Sequence, residues 1–206
     1  MKKILVAIMA VLFAAPSFAQ SSSGGFSLNE SSVYYGARLG MNISTLTGDV
    51  NDLNAKVGLN LGGVIGLRLS EATPVFLESG LYFTMNGAKK DKNEVNLNYL
   101  EIPILIKYGI QATDDIHVLP YIGPTFGYGI GGKWKGDGYS ESAFGSDKFS
   151  RADVGIKLGC GFDYNMLYLE AGYKFGITNI ADWKDDHNND ASVHNGAFFI
   201  NVGVNF

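Results

Sequence analysis

The sequence predicts an all-β fold: an eight-stranded antiparallel up-and-down transmembrane β-barrel with short periplasmic turns and long extracellular loops. Three observations lead there: a period-two alternation, connections whose lengths alternate, and chain ends that carry export signals. The alternation is clearest between Ala152 and Ile177. Val154, Ile156, Leu158, Cys160 and Phe162, then Leu167, Leu169, Ala171, Tyr173, Phe175 and Ile177, make one face apolar throughout. Between them fall Asp153, Lys157, Asp163, Tyr168, Glu170, Lys174 and a set of glycines. Period two means strand. In a soluble sandwich the charged face would meet water; in a membrane barrel the apolar face meets lipid and the charged face lines the lumen.

The N-terminus reads as an export signal over residues 1–19. Lys2 and Lys3 precede an apolar run from Ile4 to Ala15, and Ser17-Phe18-Ala19 forms a small-residue site with cleavage before Gln20. The run is shorter than the roughly 20 residues a membrane helix needs. No Cys near that site offers a lipid anchor. Residues 20–32 then form a polar, flexible leader, and residues 33–206 the barrel. Without Lys2 and Lys3, 14 basic residues face 20 acidic ones, a formal charge of −6 that argues against a nucleic-acid partner. No later run is long and apolar enough for a helical span, so any span must be β. The single Cys160 excludes an internal disulfide, and on the apolar face it is a packing residue.

Strands are expected at Val33–Ile43, Val57–Leu69, Val75–Gly87, Leu97–Ile110, Ile116–Ile130, Ala152–Tyr164, Leu167–Ile177 and Ala197–Phe206. In the first, Val33, Tyr35, Ala37, Leu39 and Met41 alternate with Tyr34, Gly36, Arg38, Gly40 and Asn42. In the last, Phe198, Ile200, Val202, Val204 and Phe206 alternate with Phe199, Asn201, Gly203 and Asn205. The fourth is less tidy, being apolar on both faces from Leu100 to Ile106 except at Glu101, until Lys107 restores the phase. Turns at Ser70–Pro74, Thr113–Asp115 and Asn165–Met166 are short. Connections at Ser44–Lys56, Ala88–Asn96, Gly131–Arg151 and Thr178–Gly196 are longer and polar. A soluble sandwich has no reason to sort its loops this way, whereas outer-membrane barrels do. The strands exceed the ~9–11 residues of a tilted span and should project beyond the outer surface.

At eight strands the interior is just wide enough for side chains to fill. The inward phase supplies Arg38, Arg68, Lys107, Lys157 and Lys174 against Glu78, Glu101, Asp153, Asp163 and Glu170. Equal numbers of each sign suit a plug of ion pairs rather than a pore, because an unpaired ion removed from water costs several kcal/mol. Arg38 and Arg68 are expected to share Glu78 and Glu101, since a guanidinium fork can serve two carboxylates. The network is read as structural, with a gated ion path as the competing reading. Outward Tyr35, Phe83, Tyr108, Phe126, Tyr128 and Tyr173 suit aromatic girdles at headgroup level. Val204-Asn205-Phe206 resembles the C-terminal signal read by the outer-membrane assembly machinery, with Val204 and Phe206 as its apolar positions.

Several stretches together resemble the PorT-type outer-membrane β-barrel family and, more distantly, the OmpA/OmpX-type eight-stranded barrels. They are Gly36-Ala37-Arg38-Leu39-Gly40-Met41-Asn42, Asn98-Tyr99-Leu100-Glu101-Ile102-Pro103 leading to Lys107-Tyr108, Tyr121-Ile122-Gly123-Pro124, and Gly176-Ile177-Thr178-Asn179-Ile180. Pro103 and Pro124 inside strands suit bulged or kinked positions. The resemblance implies an integral outer-membrane protein of a Gram-negative bacterium and implies little about activity.

The loop Asp182-Trp183-Lys184-Asp185-Asp186-His187-Asn188-Asn189-Asp190, followed by His194, is the one place resembling a site. Its spacing fits no EF-hand, and a solvated loop explains it. Gly131 to Phe149 carries Trp134, Tyr139, Phe144 and Phe149 among glycines, suiting either a contact surface or packing onto the rim. No Gly-x-Ser-x-Gly elbow and no Ser–His–Asp set is present. The expected function is therefore a non-enzymatic outer-membrane protein with a structural or loop-mediated role, needing no cofactor or metal. Its partners would be outer-membrane lipid, the assembly machinery, and an extracellular or envelope protein met through loops 131–151 and 178–196. The alternatives are a narrow channel, a rim enzyme acting on lipid or peptide, and a soluble lipocalin-like carrier.

Overall fold

The computed structural model describes residues 32–48, 54–90, 93–136, 139–145, 148–182 and 191–206. The expected signal segment, nearly all of the leader and most of the Asp182–Asp190 loop lie outside these residues. Numbered in chain order, the strands are β1 (Val33–Gly48), β2 (Asn54–Arg68), β3 (Val75–Lys90), β4 (Asn93–Tyr108), β5 (Ile110–Gln111), β6 (Ile116–Gly136), β7 (Tyr139–Ser142), β8 (Ala152–Tyr164), β9 (Leu167–Gly176) and β10 (Val193–Asn205).

Eight long strands pair antiparallel in the circle β1-β2-β3-β4-β6-β8-β9-β10, and β10 returns to β1 with Gly36 opposite Asn205 and Gly48 opposite Val193. Closure leaves none of the eight with an open edge, the condition for strands to cross hydrocarbon. Short β5 and β7 pair only with β6, near its two ends. The β8–β9 hairpin turns through Asn165 at φ 56°, a left-handed position that Asn tolerates.

The outer surface is an apolar belt. Leu39, Met41, Leu59, Ile102, Ile106, Ile122, Leu158, Leu169, Ile200 and Val202 are all exposed. Alternate residues of the same strands are buried inside, including Arg38, Glu101, Lys107, Lys157 and Asn201. The untidy fourth strand keeps strict alternation: Leu97, Tyr99, Glu101, Pro103, Leu105 and Lys107 point inward. Tyr35, Tyr108, Phe126 and Tyr128 are exposed on the outer side, while Phe83 and Tyr173 are half-buried.

Two expectations are corrected. The connections opposite the short turns are shorter than expected, because the strands run on past the belt. β1 continues to Gly48, β3 and β4 almost meet at Lys90 and Asn93, and β6 reaches Gly136. The prolines are not bulges. Pro124 faces Ile156 in unbroken register, and the β4–β6 ladder carries the same register on both sides of Pro103. The irregularities fall instead between Ala55 and Asn60, and between Asn98 and Tyr99. At the second, Asn98 faces Gly131 and Tyr99 faces Gly129, leaving Ile130 as the extra residue. One added residue exchanges the faces of a strand. Trp134 beside Val95 thereby packs on the buried cluster, and Lys133 and Lys135 stay exposed.

Candidate functional site

The buried charges form an interior polar network that divides into two clusters. Nearer the periplasmic end, Glu78 receives Lys107 Nζ at 2.8 Å and lies 3.7 Å from Arg38 Nη2. Tyr34 donates its hydroxyl to the same carboxylate oxygen at 2.6 Å. Arg38 also donates to Asn205 Oδ1 at 2.6 Å and stacks 3.9 Å above the Tyr168 ring centroid, and Asn205 donates to Asp163 at 2.6 Å. Lys107 reaches Tyr168, which with Tyr121 donates to Glu170 Oε2; Asn201 holds the other oxygen at 2.7 Å. Asn60 then joins Asn201 at 3.1 Å.

The second cluster stands nearer the loops, where β8 begins and β9 ends. Lys174 Nζ lies 2.5 Å from Glu101 and 3.0 Å from Asp153, and Asn195 donates to Asp153 at 3.2 Å. Among the described residues, Lys157 has no carboxylate within 4 Å; its ammonium lies 4.2 Å from the Phe199 ring centroid and 4.8 Å from that of Tyr82.

Nine of the ten expected charges are buried inside the barrel. Arg68 is the exception. It ends β2 and donates to the carbonyls of Ser70 and Glu71, so the expected sharing of Glu78 and Glu101 between Arg38 and Arg68 is replaced by Arg38–Glu78–Lys107 and Lys174–Glu101. The interior thus holds four cations and five carboxylates, and Asp163 is the carboxylate met only by an amide. The tyrosine hydroxyls and asparagine amides that hydrogen-bond these ions were not expected as a set, although every one lies in the inward phase.

Apolar layers close both ends. Tyr34, Phe76, Leu119 and Tyr168 pack together near the periplasmic end. At the other, Leu46, Ala88, Leu97, Tyr99 and Val193 meet Ala143, Phe144 and Phe149 from the β6–β8 connection and Ile180 from the β9–β10 connection. Phe144 packs edge-on to Tyr99 at 5.8 Å, and the two connections bond through Ser150 N to Ile180 O and Asp182 N to Lys148 O. Those aromatics face the barrel. Above the belt, Glu94 forms a 2.6 Å ion pair with Lys56, and this hydrogen bond holds its carboxyl below the usual range. No group of three or more His, Cys, Asp or Glu residues suited to a metal occurs among the described residues.

A closed ring of tilt-length strands, lipid-facing outside and ion-paired inside, is the architecture of an outer-membrane barrel. Residues 18–182 match the family described as outer membrane protein beta-barrel domain. The chain belongs to that family. Its place is the bacterial outer membrane. Among solved structures it is similar to Neisserial surface protein A, at 17% identity over 85% of this chain and 98% of the other, with a TM-score of 0.50. A major outer membrane protein from Thermus thermophilus aligns at 13% identity over 85% and 100%, also at 0.50. Ail, the attachment invasion locus protein of Yersinia pestis, aligns at 15% identity over 85% and 100%, at 0.49. At these identities the likeness is one of fold. No curated protein matches the sequence. The outer-membrane assignment sets the soluble carrier reading aside.

Proposed function

We propose that this outer-membrane barrel is a sealed, non-enzymatic envelope protein whose lumen is a structural strut and whose extracellular end presents a surface to a protein partner. The observation that carries the reading is the filled interior: buried ion pairs occupy the middle, and apolar layers lie across both ends. A charged path open to water would not need every carboxylate to find a partner within the wall, whereas a packed interior does. The contact surface is the outer side of loops 131–151 and 178–196, where Lys135, Tyr139 and Glu141 are exposed while Phe144 and Phe149 anchor the segment from beneath.

Within this reading the chain is a PorT-type member, exported by residues 1–19, carrying residues 20–32 as a leader, and recognised by the assembly machinery through Val204 and Phe206. The ten charges from Arg38 to Lys174 serve stability, and none is catalytic. Purified protein reconstituted into a planar bilayer tests the sealed lumen. The expected record has no steady unitary steps; discrete, reproducible conductance steps would replace the strut with a narrow channel.

A further inference from the structure

Among the described residues, no hydrogen bond or ion pair joins the two lumen clusters. The lower one ends at Asn60, bonded through its amide to Asn201, and the upper one begins at Glu101 and Lys174. A cavity of about 20 Å³ lies between, lined in part by Asn42, Asn60, Thr84, Glu101, Lys157 and Lys174. Three atoms of this lining are buried without a hydrogen-bond partner in the protein: Asn42 Oδ1, Asn60 Oδ1 and Thr84 Oγ1. Lys157 brings an ammonium with three N–H donors, faced at close range by aromatic rings, which accept hydrogen bonds only weakly.

We propose that this cavity is a binding site for one water molecule, which accepts from Lys157 and donates to the side-chain oxygens of Asn42 and Asn60. The volume suits one water, since a cavity needs roughly 10–15 Å³ to admit a probe of that size. The chemistry selects a neutral guest. Lys157 and Lys174 oppose a second cation, Glu101 opposes an anion, and two oxygen acceptors beside a surplus donor call for a molecule that both donates and accepts. Thr84 Oγ1 supplies a fourth partner, within the two to four that buried waters make. With the water in place, the lower network continues past Asn60 to Lys157 and Asn42, and through Asn42 to Asn86.

A crystal structure of the unmodified barrel at better than about 2 Å tests this directly. The expected result is one density peak in the cavity within ~3.2 Å of Lys157 Nζ and of Asn42 or Asn60 Oδ1. A cavity without density while those side chains are well ordered, or Lys157 bonded directly to Glu101 or Glu170, overturns the proposal. Ala197 also lines the cavity, so Ala197→Val supplies a test by sign. Displacing a bonded water lowers the midpoint of the heat-induced gel shift by a few degrees. Filling a dry void raises it, and a rise overturns the proposal.

Discussion

At the scale of single residues, the lumen is organised by tyrosines lying over glycines. A Cβ on Gly66 would meet the Tyr34 ring at 2.0 Å, on Gly62 the Tyr82 ring at 2.5 Å, on Gly159 the Tyr121 hydroxyl at 2.5 Å, and on Gly161 the Tyr168 hydroxyl at 2.1 Å. At Gly66, Gly159 and Gly161 the missing side chain clears the space in which a phenol crosses to its carboxylate, and at Gly62 it makes room for the Tyr82 ring. Gly66→Ala should therefore displace Tyr34 from Glu78 and cost about 1–3 kcal/mol, read from denaturant-induced unfolding in lipid vesicles; an unchanged midpoint would separate the glycine from the network. The carboxylates should also differ among themselves. Glu101→Gln removes the charge that Lys174 touches at 2.5 Å and should cost about 3 kcal/mol. Asp163 receives only the Asn205 amide, and its Oδ1 has no hydrogen-bond partner in the protein, so Asp163→Asn should cost nothing measurable in the same assay. The signs of all these side chains were legible from phase alone. Their pairing was not, because phase gives the side of a wall and says nothing of height. Arg68 shares the inward phase yet sits at the turn, where backbone carbonyls take its donors.

At the scale of elements, each strand has a lipid-crossing part and an outer extension, and only the first announces itself. Leu100, Ile102, Ile104, Ile106 and Tyr108 mark where β4 crosses the bilayer. Above them Asn98, Asn96 and Glu94 occupy the same face, and the polarity of Asn96 and Glu94 hid the continuing strand from a reading based on apolar alternation. The same holds for Thr45 and Thr47 in β1. Backbone pairing needs no apolar partner, so the ladders continue until a glycine such as Gly48, at φ 114°, turns the chain. The Lys56–Glu94 pair, its side chains partly buried, fastens β2 to β4 in this extension. Because the folded carboxyl is held below its usual range, the pair's contribution is present in full above about pH 5 and is lost as pH falls through the depressed value. A carbon-13 titration of Glu94 should show a midpoint below the ordinary value near 4.3, returning to it in Lys56→Met. A wild-type midpoint at the ordinary value would mean the pair is not held in solution. Global stability should change by no more than about 1 kcal/mol, the range of ion pairs at a protein surface.

At the scale of the whole molecule, two media are separated by a wall one residue thick. Hydrocarbon meets Leu39, Ile122 and Leu158, while the opposite phase is sealed inside under layers that include Phe144 and Ile180. The two faces could be read from Ala152–Ile177, and the barrel followed once the alternating connection lengths and the export signal set a soluble sandwich aside. The seal could not, because Gly131–Phe149 has no periodicity, and rings among glycines look alike whether they turn outward or down onto the rim. What decides their direction is the apolar rim formed by Leu46, Leu97 and Val193, residues far apart in the chain. The most direct test is thiol accessibility on β6 in native membranes, in a Cys160→Ser background. Thr125 is 0% exposed on the inner face and Ile122 is 53% exposed on the outer face. Thr125→Cys should resist a small water-soluble thiol reagent for as long as the barrel stays folded, while a spin label on Ile122→Cys should be relaxed by oxygen from the lipid phase. Prompt modification at Thr125→Cys in the folded protein would mean a water-filled lumen and would contradict the sealed barrel.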